Sequence, residues 1–224
     1  MDKIFTKNIE HESAVKHVTG KAIYTDDISE PKNLLHAVIG YSNCSKGVIK
    51  KIDYKDVLSS EGVVDIITEK DIEGINDVGP IFKGDKIFTS KNIEYYGQPI
   101  FAVVAKTNNL AKKAALKVKI DLKISKPIVS IEEALKKKSF VLKPKYLTRG
   151  NIKDGFKRSD NFLKGKLYSG GQDHFYLEGQ IAMTIPQEDN NFLVYSSTQH
   201  PSETQQIIGK VLKQNYNSIH VIVR

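Results

Sequence analysis

Residues 97–124, GQPIFAVVAKTNNLAKKAALKVKIDLKI, change hydrophobic period twice. The run 98–105 follows Gly97, is apolar and ends at Lys106, which predicts a strand. After Thr107, the apolar residues Leu110, Ala111, Ala114, Ala115 and Val118 recur at helical spacing and predict an amphipathic helix. Then Val118, Ile120, Leu122 and Ile124 alternate with Lys119, Asp121 and Lys123, placing four apolar side chains on one face of a half-buried strand.

Upstream, residues 34–41 and 63–68 are short runs rich in β-branched side chains, bounded by Ser42-Asn43 and Glu61-Gly62, and also read as strands. Strands with a packed helix, no repeat and no βαβ cadence predict an α+β domain over residues 13–125. Residues 126–148 read as a linker with one helix start, where Ser130 caps and Glu133 stands three residues on. A second strand-rich part, 149–224, offers strands at 162–168, 174–185 and 192–197. A helix opens at Ser202 with Gln205 completing a capping box, its apolar face being Ile207, Ile208, Val211 and Leu212, and a strand follows at 219–223. So small a unit buries little of its surface, and this part is expected to be the truncated start of a larger domain.

Composition removes several function classes. Cys44 is the only cysteine, which excludes an internal disulfide and a cysteine-ligated zinc or iron–sulfur site within these residues. The net charge is +8, but arginine occurs only at Arg149, Arg158 and Arg224. Lysine without arginine's planar fork reads as solvated surface, and no nucleic-acid partner is expected. No apolar run approaches the ~20 residues of a membrane span, and residues 1–12 mix charged with apolar positions, unlike a secretory signal. A cytoplasmic location without membrane association is the expectation.

Among residues able to do chemistry, Ser169-Gly170-Gly171-Gln172-Asp173-His174 stands between two expected strands. Gly170 and Gly171 permit a tight turn and a close approach of backbone to ligand. Gln172 can donate a hydrogen bond to an oxygen ligand on a metal without adding charge. The plainer reading is a glycine turn with a polar tip. His174 and His200 have no metal-ligand spacing. Asp26-Asp27 and Glu132-Glu133 are sequence neighbours that do not face one another, which favours turns and caps over acid/base pairing. Walker, dinucleotide and nucleophile-elbow patterns are absent from the sequence.

His17-Val18-Thr19-Gly20-Lys21-Ala22 with Tyr24 and Asp26-Asp27-Ile28, then Leu35-His36-Ala37, Asn76-Asp77-Val78-Gly79-Pro80 and Gly97-Gln98-Pro99-Ile100, occur in an informative order. They continue with Gly170 through Gln180 (GGQDHFYLEGQ) and Ser196 through Glu203 (SSTQHPSE). In that order they resemble the opening of the molybdopterin-binding large subunit of the xanthine dehydrogenase and aldehyde oxidase family, in wording most similar to the separate bacterial subunit. The stretch Cys44-Ser45-Lys46-Gly47 departs from the family pattern, which has an alanine-histidine pair there.

The resemblance implies an α/β hammerhead domain over 13–125 and the start of a molybdopterin-binding domain over 149–224. It implies that Gln172 lies beside the molybdenum and hydrogen-bonds an oxygen ligand, with Gly170 and Gly171 forming the turn. The catalytic glutamate and most pterin contacts would lie outside these residues, so no catalytic residue is expected in this chain. The implied cofactor is molybdenum–molybdopterin, with 2Fe-2S clusters and FAD on a partner chain. Implied partners are the remainder of the molybdenum subunit, an iron–sulfur/FAD small subunit and a purine substrate in purine catabolism. Two alternatives stay open: an inactive remnant or hammerhead interaction module, and a fragment of an aldehyde-oxidising molybdenum hydroxylase.

Overall fold

The computed structural model describes residues 10–224, so the expectation for residues 1–12 falls mostly outside it. Its helices are α1 (Ala14–Val18), α2 (Lys55–Leu58), α3 (Asn108–Ala115), α4 (Ile131–Lys136), α5 (Ile152–Arg158) and α6 (Pro201–Leu212). Its strands are β1 (His36–Tyr41), β2 (Gly47–Asp53), β3 (Val63–Ile67), β4 (Asn92–Ile93), β5 (Pro99–Ala105), β6 (Lys119–Ile124), β7 (Ala182–Pro186), β8 (Phe192–Ser196) and β9 (Ile219–Ile222). The chain forms two compact units: residues through Ser125 together with Leu177–Arg224, and Lys126–Tyr176.

In the first unit β5 lies between β1 and β3 in an antiparallel sheet, and β2 lies between β4 and β6 in another. β5 is buried on both faces through Ile100, Phe101, Ala102, Val103 and Ala105, which is why it reads as a continuous apolar run without alternation. The helix α3 begins where Thr107 accepts a hydrogen bond from the Leu110 amide (3.2 Å) and buries Ala111 and Ala114 in the core. Small side chains there let helix and sheet approach closely.

Phe101 is 1 % exposed and its ring meets Tyr54 edge-on, with centroids 5.3 Å apart. A Cβ on Gly40 of the paired strand would collide with that ring, and the register of β1 against β5 shifts between Gly40 and Tyr41.

β2 was not legible as a strand. A register shift between Ile49 and Lys51 against β6 puts Lys50 and Lys51 both outward, so the alternation that marks a strand is broken at that point. β4 has two residues, too few to carry a period.

A third sheet, β7-β8-β9, pairs β7 antiparallel and β9 parallel with β8, and α6 makes the crossover between the parallel strands. The expected helix start at Ser202 is corrected. The helix begins at Pro201, with His200 before it making no side-chain cap; proline is suited to the first helical position because its missing N–H has no partner to lose. Gln205, expected to cap, instead donates its amide to the Ile219 carbonyl of β9 (2.7 Å).

The other end of α6 is closed from a distance. The amides of Gly74 and Ile75 donate to the carbonyls of Val211 (2.8 Å) and Lys210 (3.1 Å), and Gln214 N donates to Gly209 O (2.9 Å). These satisfy carbonyls that a helix end leaves free. A Cβ at Gly74 would strike the Lys210 carbonyl.

The second unit contains α4, α5 and no strand. Ser130 accepts from the Glu133 amide (3.2 Å) as expected, while Glu133 turns to Lys137 (2.7 Å). α5, not foreseen, is capped by Asn151, which accepts from the Lys153 amide at 3.0 Å. The strand expected at 162–168 does not form: the segment has no partner strand, and Leu163 and Leu167 stay exposed. Of the strand expected at 174–185 only Ala182 onward is extended in a sheet.

Two stability predictions follow from this packing. Phe101→Ala costs about 3–5 kcal/mol, and Gly40→Ala costs about 1–3 kcal/mol through overpacking. Because the ring causes the clash, Gly40→Ala costs clearly less in a Phe101→Ala background; equal costs in both, by denaturant titration, contradict the contact. The second concerns Asp77, whose carboxylate accepts from the amides of Gly84 (2.7 Å) and Gly79 (2.8 Å). Those bonds hold its carboxyl below the ordinary aspartate range. A depressed folded value means the stabilisation is present above the usual pKa near ~4 and is lost as pH falls through the lower one. Asp77→Asn therefore flattens the fall of the unfolding midpoint below about pH 4, and an unchanged slope contradicts this role.

Candidate functional site

Gln172, Gly170 and Gly171 lie in the second unit, in a stretch with neither helix nor strand, and all three are exposed. Neither flanking strand is present, and neither glycine adopts positive φ; the left-handed residue nearby is Phe175 (φ 49°). A Cβ at Gly170 or Gly171 would meet nothing within 4 Å. The space beside these two Cα atoms is therefore unfilled. The Gln172 amide offers two N–H donors and a carbonyl acceptor, a neutral set suited to an oxygen ligand of a metal–pterin group and unsuited to ligating a metal directly.

The remaining motif stretches hold the first unit together. Asn76 donates from Nδ2 to the Phe88 carbonyl (2.7 Å) and accepts from the Phe88 amide through Oδ1 (3.1 Å), imitating a strand pair, while Asp77 closes the loop to Gly84. Gln98 is buried and accepts from the Glu94 amide (2.8 Å). The Ser42 amide donates to the Gln98 carbonyl (2.9 Å), and the Gly97 amide to the Ser42 carbonyl (3.0 Å). Asp27 accepts from the Tyr24 amide (2.9 Å), the turn role expected for the Asp26-Asp27 pair. Glu178 accepts from the Thr25 amide (3.0 Å), tying two segments far apart in sequence. Ser197 accepts from the Ile181 amide (2.9 Å) and donates to its carbonyl (3.1 Å), extending the β7–β8 edge. The sequence reading missed these framework roles, whose signal was the pairing of short polar side chains with glycine and proline.

His174 and His200 are exposed and are not brought together with other ligating groups. Among the described residues no group of three or more His, Cys, Asp or Glu side chains is arranged to hold a metal ion. Cys44 is buried. A cleft of about 470 Å³ between the first two sheets is lined by Tyr54, Lys50, Lys70, Glu69 and Asp71 among others. Burial, and then the Asp71 charge, push the Tyr54 hydroxyl up to about 12, so it is a neutral donor at physiological pH and no general base. Glu69 is held below the ordinary range, first by its Ser90 hydrogen bond. No described helix is long and apolar enough to cross a membrane.

Residues 19–126 match the family model described as the aldehyde oxidase and xanthine dehydrogenase a/b hammerhead domain, and residues 134–224 match the molybdopterin cofactor-binding domain. The chain is 37% identical over 214 residues to a xanthine dehydrogenase of Dictyostelium discoideum, covering 96% of this chain and 16% of that protein. It is equally 37% identical over 214 residues to aldehyde oxidase 1 of Bos taurus, covering 94% of this chain and 16% of that one. It superposes on the aldehyde oxidoreductase from Desulfovibrio gigas with a TM-score of 0.82 and 25% identity, over 95% of this chain and 26% of that one. The chain thus spans about one sixth of the length of these curated relatives. The two domain models run consecutively over an α+β fold that matches a solved member, and the chain belongs to the aldehyde oxidase and xanthine dehydrogenase family of molybdenum hydroxylases.

Proposed function

We propose that the chain is part of the molybdopterin-binding subunit of a cytoplasmic xanthine dehydrogenase, acting in purine catabolism on hypoxanthine and xanthine. The observation that carries the reading is Gly170-Gly171-Gln172, an open-backed stretch ending in a neutral amide, inside the segment that matches the cofactor-binding domain. On this reading residues 13–125 are the hammerhead domain, 126–148 a linker and 149–224 the beginning of the cofactor-binding domain. Gln172 would donate a side-chain N–H to an oxygen ligand of the molybdenum, and Gly170 and Gly171 would leave room for the group.

The molybdenum–molybdopterin group supplies the two-electron oxidation when bound. This chain's residues orient it: Gln172 adds a dipole without a charge, so its donation does not alter the net charge of the centre. The framework bonds of Thr25, Gln98 and Ser197 keep their segments fixed. Proton transfer from substrate and the passage of electrons through 2Fe-2S clusters and FAD to NAD belong to the rest of the molybdenum subunit and to an iron–sulfur/FAD small subunit.

An aldehyde substrate is the second reading, favoured by the equal identity to aldehyde oxidase 1 of Bos taurus. Assay on xanthine, hypoxanthine and aldehydes separates the two. The purified 224-residue chain gives no turnover of any of them, and turnover by it alone refutes the division of labour. In enzyme assembled with the complementary polypeptides, Gln172→Ala lowers kcat by about tenfold to a hundredfold with KM little changed, the scale of one lost transition-state donor. An unchanged kcat with full molybdenum content removes Gln172 from the site.

A further inference from the structure

A cleft of about 380 Å³ in the first unit is walled by residues within 25–37, by Asn108 at the start of α3 and by residues 181–184 around the start of β7. All its charged side chains lie in the segment that matches the hammerhead model. The lining contains Asp26 and Glu30 but no lysine or arginine, in a chain that has 34 of them. Neither carboxylate is neutralised. Asp26 has no side-chain hydrogen bond or ion pair among the described residues, and His36 Nε2 stands 3.9 Å from Glu30 Oε2, beyond hydrogen-bond reach. Thr25, 3 % exposed, is the only buried residue of the lining, and its hydroxyl has no hydrogen-bond partner among the described residues. Buried hydroxyls are nearly always paired. An unpaired one beside two open carboxylates marks a place for a ligand's donor.

We propose that this cleft binds a small organic amine in its ammonium form. Two carboxylates and a hydroxyl are three acceptor groups, and a primary ammonium carries three N–H donors. A bare metal ion is a poorer occupant, because among the described residues no three His, Cys, Asp or Glu side chains are arranged to hold one. An anion would be repelled by both carboxylates. Leu34, Leu35 and Met183 give the cleft an apolar wall for a hydrocarbon body, and its volume lies within the ~300–1,000 Å³ of small-molecule sites. The inference is independent of the molybdenum reading, since it uses no residue of 126–176.

The test titrates the isotope-labelled 224-residue chain with benzylammonium and, separately, with benzyl alcohol, benzoate and magnesium ion, following amide shifts by NMR. The expected result is saturable benzylammonium binding that moves amides within 25–37 and 181–184 and weakens as salt rises from about 0.05 to 0.3 M. Benzyl alcohol and benzoate bind at least about tenfold more weakly, because charge selects the occupant. Asp26→Asn and Glu30→Gln, both at exposed positions, each weaken benzylammonium binding at least about threefold. Thr25→Val weakens it by a similar factor while leaving the thermal midpoint unchanged or higher, since it removes an unpaired buried hydroxyl. A hydroxyl that served only the fold would lower the midpoint and leave binding alone. Asp56→Asn, outside the cleft, leaves binding unchanged. The proposal is overturned by the absence of saturable benzylammonium binding, by equal binding of benzyl alcohol or benzoate, or by tighter binding of magnesium at the same amides. Binding indifferent to Asp26→Asn and Glu30→Gln overturns it as well.

Discussion

Burial of β5 on both faces is the constraint on which the first unit depends. A strand with apolar groups on both sides must be covered on both, and here α3 and the β2-bearing sheet contribute Ala111, Ala114, Ile49 and Ile93 to the same core. Close packing of that kind leaves no space for variation. Gly40 is held at glycine by the Phe101 ring, and Gln98, at the foot of the strand, must meet the Glu94 amide because burial leaves its carbonyl no water.

From that centre the fold is extended by backbone bonds that polar side chains or free amides complete. Thr25 to Glu178 and Gly74 to Val211 join segments more than a hundred residues apart, so residues 177–224 are fastened to the rest of the first unit. Most motif stretches that relate this chain to molybdenum hydroxylases are therefore devices of the framework. Gln172 differs: it lies where the backbone is open and makes no part of that frame.

The sequence was most informative where packing and period agree. β5, α3 and β6 declare themselves because each keeps one hydrophobic pattern, continuous, helical or alternating, over at least six residues. β2 hid behind Lys50 and Lys51, which a register shift turns to the same side, and the Pro201 start of α6 hid behind a capping pattern whose Gln205 was engaged by β9. Residues 162–168 offered apolar and aromatic side chains for a strand, but a strand exists only with a partner to accept its hydrogen bonds. The neutral amide of Gln172 could be read as a candidate from its glycine neighbours and the family resemblance; its open surroundings could not, because they are set by where residues 126–176 find no core.

The contrast between a framework unit with a packed core and a charged unit without one is tested most directly by native-state hydrogen exchange on the 224-residue chain. Amides of Ala102, Val103, Val104 and Ala105 in β5 should exchange only through global unfolding, while amides in 140–150 and 160–175 exchange within about tenfold of unstructured rates. Comparable protection in the two units would contradict the account.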